Sequence, residues 1–308
     1  MSLYSMLKPR GPNGFGYGST AEEVTAGLSL DGKTYLVTGC NSGLGLETAR
    51  VLALRGGRIF GLARAAGKAA TALAPLGGAT RGFECDLADP KSVRSSVQAV
   101  RAALGRSKIE AVIGNAGIKF LPVHQQAFGL ELHFLVNHIG HFMLVTALAD
   151  ALAEDGRVVM LSSVAHTRAP KGGIEFDNLS GLWDYNPRKA YGQSKMANLL
   201  FARELARRFE GTRKTANSVH PGVIFTGPSR DMSLMDRLVV GLANRLVLKS
   251  VGAGAATSCY VAAHPAAAAI SGRYWAHCNV AEPRQDGTDA ATARRLWEVS
   301  EDIVARLP

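Results

Sequence analysis

Apolar and polar positions fall in blocks along this chain. Short runs such as Tyr35-Leu36-Val37, Arg58 through Ala63, Ala111-Val112-Ile113 and Val158-Val159-Met160-Leu161 are apolar almost throughout, the pattern of strands covered on both faces. Such runs fall near residues 34, 58, 81, 109, 157, 214 and 272, with helical stretches between them; Leu46, Ala49, Leu52 and Ala53 trace one helix face. Strands alternating with helices require crossover connections in a parallel sheet. The pattern therefore predicts an α/β fold of the Rossmann type. It is doubly wound, with a seven-stranded parallel sheet and helices on both faces, in a single domain over residues 26–308.

Residues 1–25 carry glycines and prolines among polar groups and predict an extended N-terminal arm, with no apolar run long enough for a secretory signal or a spanning helix. No internal repeat is visible. The alanine-rich stretch from Ala262 to Ala269 is broken by His264-Pro265 and reads as a helix end. Near residues 227–250, Met232, Leu234, Met235, Leu238, Val239, Leu242 and Leu246 roughly share one helical face beside Arg230, Arg237 and Arg245. Three readings compete there: a mobile lid over an apolar substrate, which is favoured; a structural helix or subunit contact; and a basic amphipathic membrane anchor.

Composition changes this picture little. A chain of 308 residues with 47% hydrophobic content is long enough to bury one ordinary core. A formal charge of +10 raises nucleic acid or an anionic membrane as partners, but the Lys and Arg residues are scattered, so a solvated basic surface and no nucleic-acid partner are expected. Peripheral membrane contact and assembly into a homodimer or homotetramer stay open. Cys40, Cys85, Cys259 and Cys278 lie far apart without Cys-x-x-Cys spacing, which predicts reduced thiols and a cytoplasmic protein. Cys40 reads as a small filler. His138 and His141, three apart, could ligate a metal, but no carboxylate or thiolate joins them, and no metal is expected.

Two motifs carry chemistry. Tyr191 and Lys195 stand four apart, so a phenol and an ammonium face the same way from a helix; a phenol near its reference pKa of about 10 is a poor base until a nearby cation favours the phenolate. Upstream, Thr38-Gly39-Cys40-Asn41-Ser42-Gly43-Leu44-Gly45 lies between an apolar run and a helical pattern. Bare backbone in that context can approach a pyrophosphate while N–H groups at the helix start bind its oxygens. The spacing Gly-x-x-x-Gly-x-Gly departs from Gly-x-Gly-x-x-Gly. Either motif alone is weak, since a solvated helix face or a tight strand-helix turn would give the same pattern.

Together the motifs resemble the short-chain dehydrogenase/reductase family, over roughly residues 20 to 305. Asp86 and Leu87 stand where relatives contact adenine, and Asn115-Ala116-Gly117 follows a strand. Gly114 departs from the family's second Asn, so one hydrogen bond steadying that strand end is expected to be missing. The run Leu135 to Phe142, containing Asn137, looks like the retinol-dehydrogenase and WW-domain-oxidoreductase branch. Ser163 matches the catalytic serine, and Pro221-Gly222-Val223-Ile224-Phe225-Thr226 resembles the segment beside the nicotinamide.

The resemblance implies a catalytic set of Asn137, Ser163, Tyr191 and Lys195. It implies cofactor contacts from Gly39, Asn41, Ser42, Gly43, Leu44, Gly45, Arg64, Asp86, Leu87, Asn115, Ala116, Gly117, Tyr191, Lys195, Pro221, Gly222, Val223 and Thr226. In the implied reaction a carbonyl oxygen sits between the hydroxyls of Ser163 and Tyr191, and Tyr191 donates the proton while Ser163 stabilises growing negative charge. Lys195 would hold the ribose and depress the Tyr191 pKa, and Asn137 would kink its helix and fix a water leading to solvent. Ser162 is expected to point away from Ser163.

Where NAD users carry an acid at the end of the second strand, this chain has Ala63 and then Arg64, which suits a 2′-phosphate; NADP(H) is expected over NAD(H), with Lys68 as a lesser candidate. Phe176, Leu179, Trp183 and Tyr185 are expected to wall a pocket for an apolar ketone, aldehyde or alcohol of retinoid, steroid, lipid or aromatic type. Two alternatives are a non-catalytic dinucleotide-binding sensor or scaffold and a protochlorophyllide-reductase-like enzyme.

Overall fold

The computed structural model describes residues 8–224 and 248–308. Its sheet is built from the apolar runs: β1 Thr34–Thr38, β2 Arg58–Ala63, β3 Thr80–Glu84, β4 Ile109–Gly114, β7 Leu152–Leu161, β8 Thr215–His220, β9 Tyr274–Ala276 and β10 Asn279–Ala281. A separate two-residue hairpin pairs β5 Gln126–Ala127 with β6 Leu130–Glu131. The order β10-β9-β8-β7-β4-β1-β2-β3 puts the reversal of winding between β1 and β4, where open α/β sheets form a crevice beyond the strand ends.

The sheet has eight strands rather than the expected seven. The eighth, β10, is antiparallel to β9, and the two-residue turn His277-Cys278 joins them with φ of 55° and 64°. Both turn residues are left-handed, as a type I′ hairpin needs, yet neither is the glycine or asparagine that would signal one.

Among the described residues, eight α-helical segments accompany the strands: α1 Ala21–Val24, α2 Gly43–Leu54, α3 Ala66–Leu73, α4 Pro90–Leu104, α5 from Leu132–Phe134 through Gly140–Leu148, α6 Pro187–Arg208, α7 Val251–Ala263 and α8 Ala290–Arg306. Strand alternation divides the core. Leu36, Val112 and Val158 pack with Val97, Phe142, Phe201 and Trp297 of α4, α5, α6 and α8. Tyr35, Val37, Ile113 and Val159 pack with Leu52, Leu73 and Tyr260 of α2, α3 and α7. Each such large side chain contributes about 1.5–3 kcal/mol by burial. Phe142 meets Trp297 at 4.9 Å and Phe201 at 5.3 Å between ring centroids, tying α5, α6 and α8 together. Among the described residues, Leu132–Ala151, to which α5 belongs, is the one helical stretch long and apolar enough to cross a membrane, and 72% of its most apolar part is buried inside the domain, as in a core helix.

The start of α6 is fixed by Pro187 in its first turn and by Asn186, whose side chain accepts from the amides of Arg188 and Lys189. That start sets the phase placing Tyr191 and Lys195 toward the sheet's carboxyl edge. The N-terminal segment is stitched to β10: Asn13 Nδ2 donates to Cys278 O at 2.6 Å and Asn279 Nδ2 donates to Phe15 O at 3.1 Å. Within it, residues 21–24 form a helical turn with a capping box from Thr20 and Glu23 rather than extended chain.

Candidate active site

A cleft of about 720 Å³ opens at the carboxyl edge of the sheet, over β1 and β4. Its floor is the glycine turn after β1. Gly39 has φ of 67°, and a Cβ on Gly45 would stand 2.2 Å from Gly39 O, so no larger residue fits without moving backbone. Helix α2 begins there with Ser42 at the N-cap, whose side chain makes no capping bond, and no acid lies in the first turn. Amides at that helix start remain available, and the local dipole favours an anion. A bare cradle beneath an uncapped helix fits the pyrophosphate of a nicotinamide dinucleotide. Cys40 is fully buried under the turn, packed where a Cβ on Gly61 would fall, and burial pushes its thiol up to about 11. It is a filler, as expected.

Gly39, Asn41, Ser42, Leu44, Gly45, Arg64, Asp86, Leu87, Asn115, Ala116, Gly117, Tyr191, Lys195, Pro221, Gly222 and Val223 all line this cleft, as does Ser163. Gly43 does not reach the wall; it is exposed, with φ of 54°, and shapes the turn. Thr226 and the segment 227–247 lie outside the described residues. Arg64 and Lys68 are both exposed where β2 meets α3, and both line the cleft.

At the other end, Ser163 begins a helical turn over Val164–Arg168, and its hydroxyl accepts from Ala165 N at 3.2 Å. Ser163 and Tyr191 line the same wall of the cleft. Ser162 points away, its hydroxyl donating to Lys195 O at 2.7 Å. Lys195 is 4% exposed; its Nζ donates to Leu161 O at 3.0 Å, and burial pushes its ammonium down to about 8.

The expected depression of the Tyr191 pKa by Lys195 is not what the site does by itself. Burial raises the phenol pKa, and the opposing influence is the neighbouring Ser163 side chain. Lys195 Nζ stands 5.7 Å from the Tyr191 ring centroid, anchored to a carbonyl instead of the phenol oxygen.

Asn137 is fully buried and does not line the cleft. Helix α5 widens into a π turn across Leu135–Ile139 with Asn137 at its centre, a distortion frequent at functional sites. The side chain clamps the neighbouring loop: Oδ1 accepts from Ile118 N at 2.8 Å, and Nδ2 donates to Ile118 O at 3.0 Å and to Ser194 Oγ at 2.9 Å. This clamp fixes the chain after Asn115-Ala116-Gly117 and ties it to α6.

Two departures from sequence expectation have physical causes. Gly114 lies opposite Met160, and a Cβ there would meet Met160 Sδ at 2.7 Å and His141 Cδ2 at 3.1 Å, so these side chains occupy the space. His141 steadies the strand end: Nδ1 donates to Asn137 O, which makes Nε2 the acceptor for Thr38 Oγ1 at 2.9 Å, and Thr38 Oγ1 accepts from Ala116 N. His138 turns elsewhere, to Ser300 Oγ. Second, the stretch Phe176 to Tyr185 does not wall the main cleft. Leu179 is in the core, Phe176 packs under Arg295, Tyr185 bonds Leu121 O, and Trp183 is 65% exposed. The rim consists instead of Lys119, Phe120, Val164, Thr167 and Arg168. Phe120, with φ of 53°, sets its ring 4.9 Å from that of Tyr191. An aromatic residue three positions after the Asn-Ala-Gly run was the available signal.

An open α/β sheet with a glycine cradle at its switch point, and Ser163, Tyr191 and buried Lys195 together in the wall beside it, defines a dinucleotide-dependent oxidoreductase. Comparison with known proteins agrees: residues 33–176 match the short chain dehydrogenase family model. The chain is 38% identical to the chloroplastic short-chain dehydrogenase TIC 32 A of Brassica napus, with all of both chains covered, and 37% identical to retinol dehydrogenase 12 of Mus musculus, with 91% of this chain and 89% of that one covered. Among solved structures, an uncharacterised protein of Mycobacterium paratuberculosis matches with a TM-score of 0.75 at 30% identity, covering 94% of this chain and 98% of that one. A short chain dehydrogenase of Burkholderia cenocepacia in complex with NADP matches with a TM-score of 0.62 at 27% identity, covering 80% and 96%. The chain belongs to the short-chain dehydrogenase/reductase family, in its retinol-dehydrogenase-like branch, and is an oxidoreductase acting on CH–OH and C=O groups with a nicotinamide dinucleotide.

Proposed function

We propose that this protein is an NADP(H)-dependent reductase or dehydrogenase of apolar carbonyls and alcohols, with Tyr191 as proton donor. The observation that carries it is the meeting of Ser163, Tyr191 and buried Lys195 in the wall of the glycine-floored cleft. Bound nicotinamide would supply or accept the hydride. Ser163 and Tyr191 hold the substrate oxygen between their hydroxyls, and the Tyr191 O–H proton passes to that oxygen as negative charge grows on it. Burial keeps the phenol protonated until then, so in reduction it serves as an acid. Lys195, held by Leu161 O, keeps a cation within the same wall, and Asn137 fixes the Ile118 loop on which the rim is built.

Arg64 and Lys68, without an acid beside them on the β2 end, favour a 2′-phosphate by paired hydrogen bonds. A cytoplasmic or otherwise reducing setting suits four buried free thiols. The test is a screen of apolar aldehydes, ketones and alcohols followed by nicotinamide absorbance with both cofactors, using Tyr191→Phe as the blank. Turnover surviving in the blank, or kcat/KM higher with NADH than with NADPH, defeats the acid assignment or the cofactor preference respectively.

A further inference from the structure

Charge around the cleft is lopsided. Arg64, Lys68, Lys119, Arg168 and Lys195 line it as cations, and Asp86 is the single acid among the described lining residues. Arg64, Lys68 and Asp86 belong to the ends of β2 and β3 and the start of α3, remote in the fold from Ser163 and Tyr191. Lys195 is buried and bonded. Lys119 and Arg168 remain, both exposed, on the two loops that flank Tyr191.

Their positions are built, not incidental. Lys119 sits between Ile118, clamped through both its backbone groups by Asn137, and Phe120, whose ring lies against Tyr191. Arg168 ends the turn that Ser163 begins, and its backbone abuts α6 one residue past Tyr191: a Cβ on Gly192 would stand 2.9 Å from its carbonyl carbon. Elsewhere the basic side chains of Arg50, Arg101, Arg207, Arg208, Arg213 and Arg284 are paired with carboxylates. Among the described residues, the side chains of Lys119 and Arg168 make no ion pair or hydrogen bond. Between them the rim is apolar and open, with Phe120 44%, Val164 49% and Val223 55% exposed. Apolar surface bounded by two uncommitted cations matches a ligand with an apolar body and an anionic end.

We propose that the substrate is such a molecule: its apolar body lies on Phe120, Val164 and Val223, its carbonyl or carbinol carbon reaches Ser163 and Tyr191, and Lys119 and Arg168 bind a terminal oxyanion. The assignment rests on the reading of the site as a carbonyl reductase and names the substrate class within it. Arg168 offers a planar fork, which suits carboxylate or phosphate alike, and Lys119 adds a point charge.

The experiment compares decanal, 10-oxodecanoate and the phosphate ester of 10-hydroxydecanal at saturating NADPH. For the native chain, kcat/KM is expected to be roughly tenfold higher for the anionic aldehydes, because two partly exposed ion pairs each contribute modestly. The advantage should shrink in 0.5 M salt by screening; the carboxylate and phosphate arms show which oxyanion fits better. Lys119→Gln combined with Arg168→Gln should erase the preference while leaving decanal turnover and the KM for NADPH unchanged. Equal kcat/KM for decanal and the anionic aldehydes overturns the proposal. So does a double variant that raises the KM for NADPH, which would mean the two cations serve the dinucleotide. Should no aldehyde react, the underlying reductase reading is in question, and the anion site is tested separately by titrating decanoate and decanamide into the NADPH complex and following NADPH fluorescence. Decanoate binding no tighter than decanamide overturns the proposal there too.

Discussion

The two ends of the cleft are made on opposite principles. At the glycine turn the chain removes side chains: Gly39 and Gly45 leave backbone bare, Ser42 leaves its helix uncapped, and the N–H groups wait for a partner. At the Tyr191 end the polar groups are already engaged. Lys195 Nζ and Asn198 Nδ2 both donate to Leu161 O, Ser162 donates to Lys195 O, and Asn137 is fully used by Ile118 and Ser194. One end gains affinity by leaving donors unmet, while the other gains a fixed geometry by satisfying them before substrate arrives.

The largest expected effect breaks the second end alone. Tyr191→Phe should lower kcat by at least the roughly 10²–10⁴ typical of lost acid-base help, with NADPH affinity by fluorescence titration kept. Gly45→Ala should break the first end alone. Its Cβ has no room beside Gly39 O, so the KM for NADPH should rise, and thermal melting should report an overpacking cost of about 1–3 kcal/mol. An unchanged KM for NADPH would mean the turn is not the phosphate cradle. Arg64→Asp is expected to shift the ratio of kcat/KM for NADPH over NADH by about 10- to 100-fold toward NADH, the size of a lost charge-assisted contact.

The smallest effect is in pH. Lys195 carries its charge below about 8, so reductive kcat/KM should be level in neutral solution and fall as pH rises through that value. Lys195→Arg should remove the break. Lys249, likewise pushed down to about 8 by burial, is the internal control: Lys249→Met should keep it. The stability trend has the opposite sense. Between about 8 and the ordinary lysine value of 10.5, the folded protein has released protons that the unfolded chain retains, so these two lysines make stability rise with pH across that window.

What the sequence revealed of this arrangement was whatever depends on near neighbours. A strand, a glycine turn and a helix in succession, or a phenol and an ammonium four apart, are local patterns, and both motifs meet in one cleft. Long-range packing was not legible. The replacement at Gly114 is understood only when Met160 is seen opposite it and His141 beside it, one on another strand and one on a helix. The hairpin of β9 and β10 lacked turn chemistry, because His277 and Cys278 adopt left-handed backbone without glycine. Phe120 reaches Tyr191 through the same unsignalled conformation, whereas Trp183, an apparent pocket residue, is turned to solvent. The direction of the Tyr191 shift depended on comparing burial with a cation whose placement no spacing specifies.

The stitching of residues 13–15 onto β10 has a consequence for self-association. A terminal strand with bare amides and carbonyls is a template on which a neighbouring copy can add its own. Asn13 takes the Cys278 carbonyl at the turn into β10, the Asn279 side chain reaches back to Phe15, and the Phe15 ring lies 5.6 Å from that of Tyr260, so the start of this border strand is tethered and flanked by the N-terminal segment. Trimming the chain to begin at Thr20 would untether it, and the shortened protein should aggregate at concentrations where the longer one stays dispersed.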